Sequence, residues 1–535
     1  MAHAVDQAGS DAQGVSKPDL TQAALKDSAT FSSPADQSTR TVLAPQSKLT
    51  AAATVQSADA SNPTLAVALD AYSTSAHTIA LNSSVTSATT PLDISIAWGD
   101  GATTAASASG TQNVASEHTY AELGTYTVKV SVTDKAANTT VTNEVAVTTA
   151  GSDYTPYGPT RLLDTRNGTG ATQAKVAPYT SAHLKVGGNG GIPAGVTAVV
   201  LNVTVTDTTS GGHVTAFADG DDKPTTSNVN FVPGQTVPNL VIVPVGENGY
   251  VNLYNGGWES VDLIADVTGY FTQTSSSGYT PLAPKRFVDT RNGTGTTMGQ
   301  LAGYGSFSTQ ITGLGNVPAA GVTAVALNVT VTNPKSDGHL TVYPGGQQAP
   351  TASNVNFTTG QTIANSVIVP VGPDGKISVR NGGWNPADVI VDVVGYYSPQ
   401  SKGAYLPFTP ERMLDTRNPA DQVYGPLAGR DYIYTALGAP GSGITGFVLN
   451  TTVTNTKDSG FLAVSPDPNT QDQYDANTAS QPTPPTSSTL NWTTGKTVPN
   501  LVQASTGSTG VVDFWNQSDG NADLIVDVFG MYQEN

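Results

Sequence analysis

The chain has 535 residues, which at ~150 residues per domain points to three or four domains. Lys and Arg total 23 against 41 Asp and Glu, the net charge is −18, and charged residues make up only 12 %. This balance argues against nucleic acid or an anionic membrane as partner. The absence of Cys excludes disulfide frameworks, thiol nucleophiles, iron–sulfur clusters and Cys-type zinc sites.

No apolar run approaches the ~18–20 residues of a membrane span. Met1 to Ser10 are small, polar and acidic, without the charged start and apolar middle of a signal peptide. The Thr/Ser/Asn-rich, Lys- and Glu-poor composition has an extracellular character, so the expectation is a mature secreted form, with Met1 an added start. Residues 1–62 show no sustained period and are expected to form a disordered lead, with a helical turn or two at 20–27.

From residue 63 the pattern changes. Leu65-Val67-Leu69, Ile94-Ile96-Trp98 and Tyr126-Val128-Val130-Val132 alternate apolar with polar residues, the period of half-buried strands. Turn signals lie at Gly99-Asp100-Gly101 and Leu123-Gly124-Thr125. The residues Trp98-Gly99-Asp100-Gly101, His118-Thr119-Tyr120, Gly124–Val130 and Asp134 resemble those of a PKD (polycystic kidney disease) domain. The resemblance implies an immunoglobulin-like β-sandwich over 63–150, with Trp98 and Tyr126 in its core and Gly-Asp-Gly as a tight turn. It also implies a spacer or accessory binder of the kind found in secreted bacterial proteins.

The remainder repeats itself. Asp164-Thr165-Arg166-Asn167, Asp289-Thr290-Arg291-Asn292 and Asp415-Thr416-Arg417-Asn418 each follow a Tyr-x-Pro segment at Tyr154, Tyr279 and Tyr405. Each is followed by a Leu-Asn-x-Thr-Val-Thr run beginning at Leu201, Leu327 and Leu449. Then come Ser227–Phe231, Ser353–Phe357 and Ser488–Trp492, and each copy closes on Asp266–Tyr270, Asp392–Tyr396 or Asp527–Met531. A Pro-rich insert at about 465–486 lengthens the third copy. The period is far above that of a solenoid unit, so each copy is a complete domain: repeat 1 over 154–272, repeat 2 over 279–397 and repeat 3 over 405–535. Recurrent strands with Gly/Asn/Pro turns and few helix signals make the class all-β: an immunoglobulin-like sandwich followed by three tandem β-sandwich or jelly-roll domains. The spacing leaves open whether the copies pack together or hang as beads. The repeat resembles one in secreted actinobacterial proteins, a resemblance that implies location more than activity.

Four constellations are candidates for chemistry. An Arg that is partly buried needs carboxylate partners. Arg166 is expected to staple the start of repeat 1 to its last strand through Asp164 and Asp266. The same holds for Arg291 with Asp289 and Asp392, and for Arg417 with Asp415 and Asp527. Trp258 and Trp384 follow Asn-Gly-Gly turns, where an indole either caps the core or presents a face to a sugar ring. Asn255 and Asp262 in repeat 1, and Asn381 and Asp388 in repeat 2, would then serve as polar partners, with Glu259 and Asn385 nearby. Repeat 3 departs from this, reading Phe514-Trp515-Asn516-Gln517-Ser518-Asp519-Gly520. The six histidines do not pair at metal-ligand spacing; His213 and His339 correspond, but repeat 3 has Phe461 there. Asp219, Asp221 and Asp222, and Asp100, are the candidate Ca²⁺ ligands in a chain otherwise expected to need no cofactor. The Asn-x-Thr sequons at Asn202, Asn328 and Asn450 lie inside strands and read as strand pattern.

No nucleophile elbow, His-Glu-x-x-His or phosphate loop is present. The expected function is therefore a secreted, non-enzymatic surface or matrix protein that binds polysaccharide or cell-wall glycan multivalently. The alternatives are a self-assembling fibre or sheath protein and, third, a secreted hydrolase.

Overall fold

The computed structural model describes residues 13–16, 20–26, 28–42, 62–89, 91–438 and 441–534. They fall into two compact units, each all-β, one centred on residues 25–151 and the other on 152–272 and 276–534.

The smaller unit is a sandwich of two sheets. One pairs Thr30–Ser33, Ala66–Ser73, Thr78–Thr86 and Gln112–Thr119; the other pairs Thr39–Val42, Thr139–Thr148, Thr125–Asp134, Leu92–Ala97 and Thr103–Ala108. The alternating residues that marked the strands fill its core, with Trp98 and Tyr120 fully buried. Tyr120 Oη donates to Trp98 O, and Trp98 Nε1 to Thr104 Oγ1. Gly99 and Gly101 have φ of 90° and 99°, which only glycine adopts freely, so Gly-Asp-Gly is the tight turn. Tyr126 differs from expectation. It is half-buried and stacks on Tyr120 at 3.9 Å, closing the core from its rim.

The expectation of a disordered lead needs correction over residues 13–16, 20–26 and 28–42; Gln13–Ser16 is a strand. Leu20–Leu25 is helical, as the sequence suggested, but Thr30–Ser33 and Thr39–Val42 are edge strands of the sandwich. Asn143 holds the first of them. Its Nδ2 donates to Ser33 O and Val67 O, and its Oδ1 accepts from Ser33 Oγ. Arg40 donates to Asn62 O at 2.6 Å. The parts of the lead at 1–12, 17–19, 27 and 43–61 lie outside the described residues.

Each repeat has eight strands. In repeat 1 these are Asp153–Asp164, Ser181–Lys185, Val196–Thr206, Gly212–Ala218, Val229–Phe231, Val237–Pro244, Tyr250–Asn255 and Asp262–Thr272. The first, eighth, third and sixth form one antiparallel sheet; the second, seventh, fourth and fifth form the other. That order is a jelly roll. Repeat 2 reproduces it strand for strand, and repeat 3 does so with one addition, Gln13–Ser16 of the lead, which pairs parallel with Tyr432–Ala436 at the edge of the second sheet. Within each repeat Val, Leu and Ile fill the space between the sheets.

The third strand of each repeat is buried on both faces, which one sandwich core does not explain. The second face belongs to a shared core: Val200, Leu240 and Ile242 of repeat 1 meet Ala326 and Ile368 of repeat 2 and Val448 and Leu501 of repeat 3. The three sixth strands, Val237–Pro244, Ile363–Pro370 and Val498–Ser505, contact one another pairwise. The repeats therefore pack around a pseudo-threefold axis within one chain, not as beads.

Two layers of side chains mark that axis. One is aromatic: Tyr154, Tyr279, Tyr405, Phe271, Tyr397 and Tyr532 are all buried. Cross-repeat pairs sit at 4.3 Å (Tyr154–Tyr397), 4.6 Å (Phe271–Tyr405) and 4.3 Å (Tyr279–Tyr532). The other is a cycle of asparagines. Asn202 Nδ2 donates to Ser353 O of repeat 2, Asn328 to Ser488 O of repeat 3, and Asn450 to Ser227 O of repeat 1. These are the three sequon asparagines; their burial and bonding explain why the motif recurs inside a strand.

Candidate functional site

The exposed feature that recurs on this body is an aromatic pair. Trp258 and Trp384 are 75 % and 78 % exposed, so neither ring caps the core. Each meets a tyrosine from the turn before the second strand. Tyr179 and Trp258 have centroids 5.9 Å apart with rings at 83°; Tyr304 and Trp384 are 5.2 Å apart at 82°. Both tyrosines are about half exposed and have left-handed backbones, φ 58° and 56°, unusual for a bulky residue. Their N–H groups donate to Asn255 O and Gly383 O, which ties the two turns together.

The local sequence builds this corner. His213 and His339 lie over Gly256 and Gly382, where a Cβ would meet the imidazole at 2.3 Å. Gly257 approaches Gly212 so closely that a Cβ on Gly212 would lie 2.4 Å from Gly257 Cα. The Gly-Gly pair thus lets the turn fold flat against the sheet and throws the following Trp outward. Burial pushes both histidines below the usual imidazole range, in keeping with a packing role.

The expected polar partners are elsewhere. Asn255 and Asn381 are fully buried. Asn255 Nδ2 donates to Val176 O and Glu259 O, and its Oδ1 accepts from Gly257 N; Asn381 does the same with Leu301 O, Asn385 O and Gly383 N. They shape the turn and do not face a ligand. Asp262 and Asp388 are buried too and accept from Thr165 Oγ1 and Thr290 Oγ1. A buried amide is used up by the backbone it caps, and that is the physical reason for the correction. The tyrosines, missed from the sequence, carry a signal in it: Tyr179 and Tyr304 occupy matching positions in the first two repeats.

Repeat 3 replaces both members of the pair. Arg430 holds the tyrosine position, with φ 63° and its N–H donating to Asn516 O, and Asp519 holds that of the tryptophan. Arg430 Nε donates to Asp519 Oδ1 at 2.9 Å. The turn geometry is kept while the aromatic corner becomes an exposed ion pair.

The carboxylate staple exists with a different arginine. Asp266 binds Arg161, through Nε at 2.9 Å and Nη2 at 3.2 Å, and Arg161 Nη1 reaches Asp164 at 3.1 Å. Arg286 and Arg412 do the same for Asp392 with Asp289 and for Asp527 with Asp415. Arg166, Arg291 and Arg417 fork onto their own Asp164, Asp289 and Asp415 and do not reach the last strand. Asp164 and Asp289 are held below the usual carboxylate range chiefly by these forks. The reason is register: Arg161 lies directly opposite Asp266 in the ladder.

Asp219, the centre of the candidate Ca²⁺ cluster, instead accepts from Asn248 Nδ2 and Asn252 Nδ2, both at 2.7 Å. Asp100 accepts from Ala102 N and pairs with His118. Among the described residues no three His, Asp or Glu are grouped so as to hold a metal ion, and no helix is long and apolar enough to cross a membrane.

The architecture defines an all-β protein in which an immunoglobulin-like sandwich accompanies three tandem β-sandwich domains. Residues 60–149 match the family model of the PKD domain. No curated protein matches the chain in sequence. Among solved structures, one similar chain comes from the atomic structure of Sulfolobus turreted icosahedral virus, at 9 % identity and TM-score 0.16, covering 77 % of this chain and 90 % of that one. Another comes from a study of the promiscuous specificity of carbohydrate-binding modules of the β-sandwich superfamily, at 13 % identity and TM-score 0.12, covering 60 % and 91 %.

Proposed function

We propose that the protein is a secreted, non-enzymatic glycan-binding protein of a surface or matrix, gripping polysaccharide through the Trp258–Tyr179 and Trp384–Tyr304 corners. The observation that carries this reading is the exposure of two large indoles, 75 % and 78 %, at equivalent places on one body. Exposed tryptophan is costly in water unless something covers it. Sugar rings offer flat C–H faces to stack on an indole, and the perpendicular tyrosine supplies a second wall and a hydroxyl. Each corner alone would bind weakly; two on a fixed body raise avidity by ~10²–10⁴-fold on a repeating polymer. The PKD domain suits a spacer in such a protein.

Retention on insoluble polysaccharides tests this. Trp258→Ala and Trp384→Ala should each weaken retention and together abolish it, with the melting temperature unchanged because both rings are exposed. Undiminished retention by the double variant on every polysaccharide the native protein binds would overturn the proposal.

A further inference from the structure

Repeat 3 departs from its copies along one sheet edge. Its second strand, Tyr432–Ala436, corresponds to Ser181–Lys185 of repeat 1 and Ser306–Gln310 of repeat 2. In repeats 1 and 2 those strands end their sheets. On the face turned away from the repeat core they carry Ser181, His183 and Lys185, and Ser306, Ser308 and Gln310. Polar and charged side chains on an edge, Lys above all, discourage another strand from adding to it. Repeat 3 has Tyr432, Tyr434 and Ala436 at the same places.

Further aromatic groups back this change. Tyr432 stacks on Trp515 at 4.4 Å, and Tyr434 stacks on Tyr474 of the insert at 3.7 Å. The hydroxyls of Tyr432 and Tyr474 lie 3.2 Å apart. With Ala463 and Val511 the rings form an apolar cluster of their own on the outer face of the sheet. The insert that lengthens repeat 3 thus completes an aromatic shelf along the edge strand.

The lead occupies that edge. Gln13–Ser16 adds to Tyr432–Ala436 as a parallel strand, with Gly14 opposite Tyr434. The fit requires glycine, because a Cβ on Gly14 would meet the Tyr434 ring at 2.1 Å. The chain that follows the lead, residues 25–151, builds the other compact unit, so its neighbours in sequence do not fix this strand on repeat 3. Parallel pairing is slightly the weaker kind per residue, and only four residues take part. Occupancy of the edge is then a matter of effective concentration, and a second copy presents the same segment.

We propose that the aromatic edge of repeat 3 is a strand-acceptor site whose partner is the Gln13–Ser16 segment of a second copy. Each copy carries one donor and one acceptor, so the contact is heterologous and joins copies head to tail. The Trp258 and Trp384 corners take no part in it, and it does not rest on their reading.

Complementation between two variants of the full chain tests this. Gly14→Val spoils the donor and keeps the acceptor. Tyr434→Ser, which installs the residue of repeat 2, spoils the acceptor and keeps the donor. Each variant should sediment alone as a monomer, and an equimolar mixture should form a species of twice the monomer mass. A mixture that stays monomeric, or self-association of either variant alone, would overturn the proposal. A peptide of residues 10–20 decides the matter should Tyr434→Ser melt early. Titrated calorimetrically onto the Gly14→Val chain, it should bind one per chain, and the same peptide carrying Gly14→Val should bind about tenfold more weakly or worse. Equal binding by the two peptides, or binding by neither, would sink the acceptor site.

Discussion

Arg161 and Arg166 both bind Asp164, yet only Arg161 crosses to the last strand. Asp266 is almost fully buried and Arg161 about one-third exposed, so deleting Arg161 strands a carboxylate away from water. Arg161→Ala should destabilise the repeat unit by about 3 kcal/mol, the low end for a broken buried pair. Arg166→Ala, nearly half exposed, should cost far less. Chemical denaturation of the two variants checks this, and equal losses would put the staple on the wrong residue. The Asp-Thr-Arg triplet drew attention because it is contiguous. The true partner was equally repeated as Arg161, Arg286 and Arg412, but only the ladder register shows which arginine lies opposite Asp266.

A second residue-scale contrast concerns protons. In repeat 1 Asn252 donates to Asp219; at the matching places repeat 3 has Asp513 against Asp467. Burial, reinforced by Asp467, pushes Asp513 up to about 9. A carboxyl with a raised folded pKa favours folding fully only below its unfolded value of about 4. That contribution is lost as pH climbs to about 9 and is constant above. Asp513→Asn, which restores the amide of repeat 1, should therefore stabilise the protein increasingly from pH 5 to pH 9. Urea melts at the two pH values measure the difference, and a pH-independent effect would contradict the protonated carboxyl.

At the scale of elements, long strands with clear alternation were legible and short ones were not. Tyr126–Val132 announces itself by period, and the three Leu-Asn-x-Thr-Val-Thr runs by recurrence. Thr30–Ser33 and Thr39–Val42 are four-residue edge strands rich in Thr and Ser. They bury little apolar surface and are held by distant groups, Asn143 and the carbonyls near Asn62, so no local pattern records them. The Pro-rich insert of repeat 3 has a similar lesson. It contains a one-turn helix, Gln471–Asp475, closed by a capping box at Thr470 and Gln473, and its Thr486 O accepts from Arg286 of repeat 2. The insert that lengthens the third copy is thus partly an inter-repeat contact. The aromatic corners were half legible: the tryptophans stood out by sequence, whereas their tyrosines needed the fold to bring two distant turns together.

At the scale of the whole repeat unit, packing and beads were indistinguishable from sequence, because the residues that join the repeats lie inside strands and show no local pattern of their own. Asn202, Asn328 and Asn450 read in sequence as strand pattern; in the fold they are the fasteners between repeats. A core shared by all three copies means none can lose its inner sheet without exposing apolar surface of the other two. Calorimetry should therefore show residues 152–534 unfolding in one cooperative transition, distinct from that of the PKD sandwich. Asn328→Leu removes the bond to Ser488 O and leaves Asn500 without its Asn328 acceptor. At about 1–3 kcal/mol for such a buried loss, the large transition should move down by a few degrees as a single peak, since per-kcal shifts shrink with size, to about 2–4 °C at 150–250 residues. Splitting into separate peaks, one per repeat, in the native protein would mean that the repeats fold as independent beads. A single peak that moves as a whole would make the three-domain body the folding unit, and so the rigid frame that fixes the distance between the two aromatic corners.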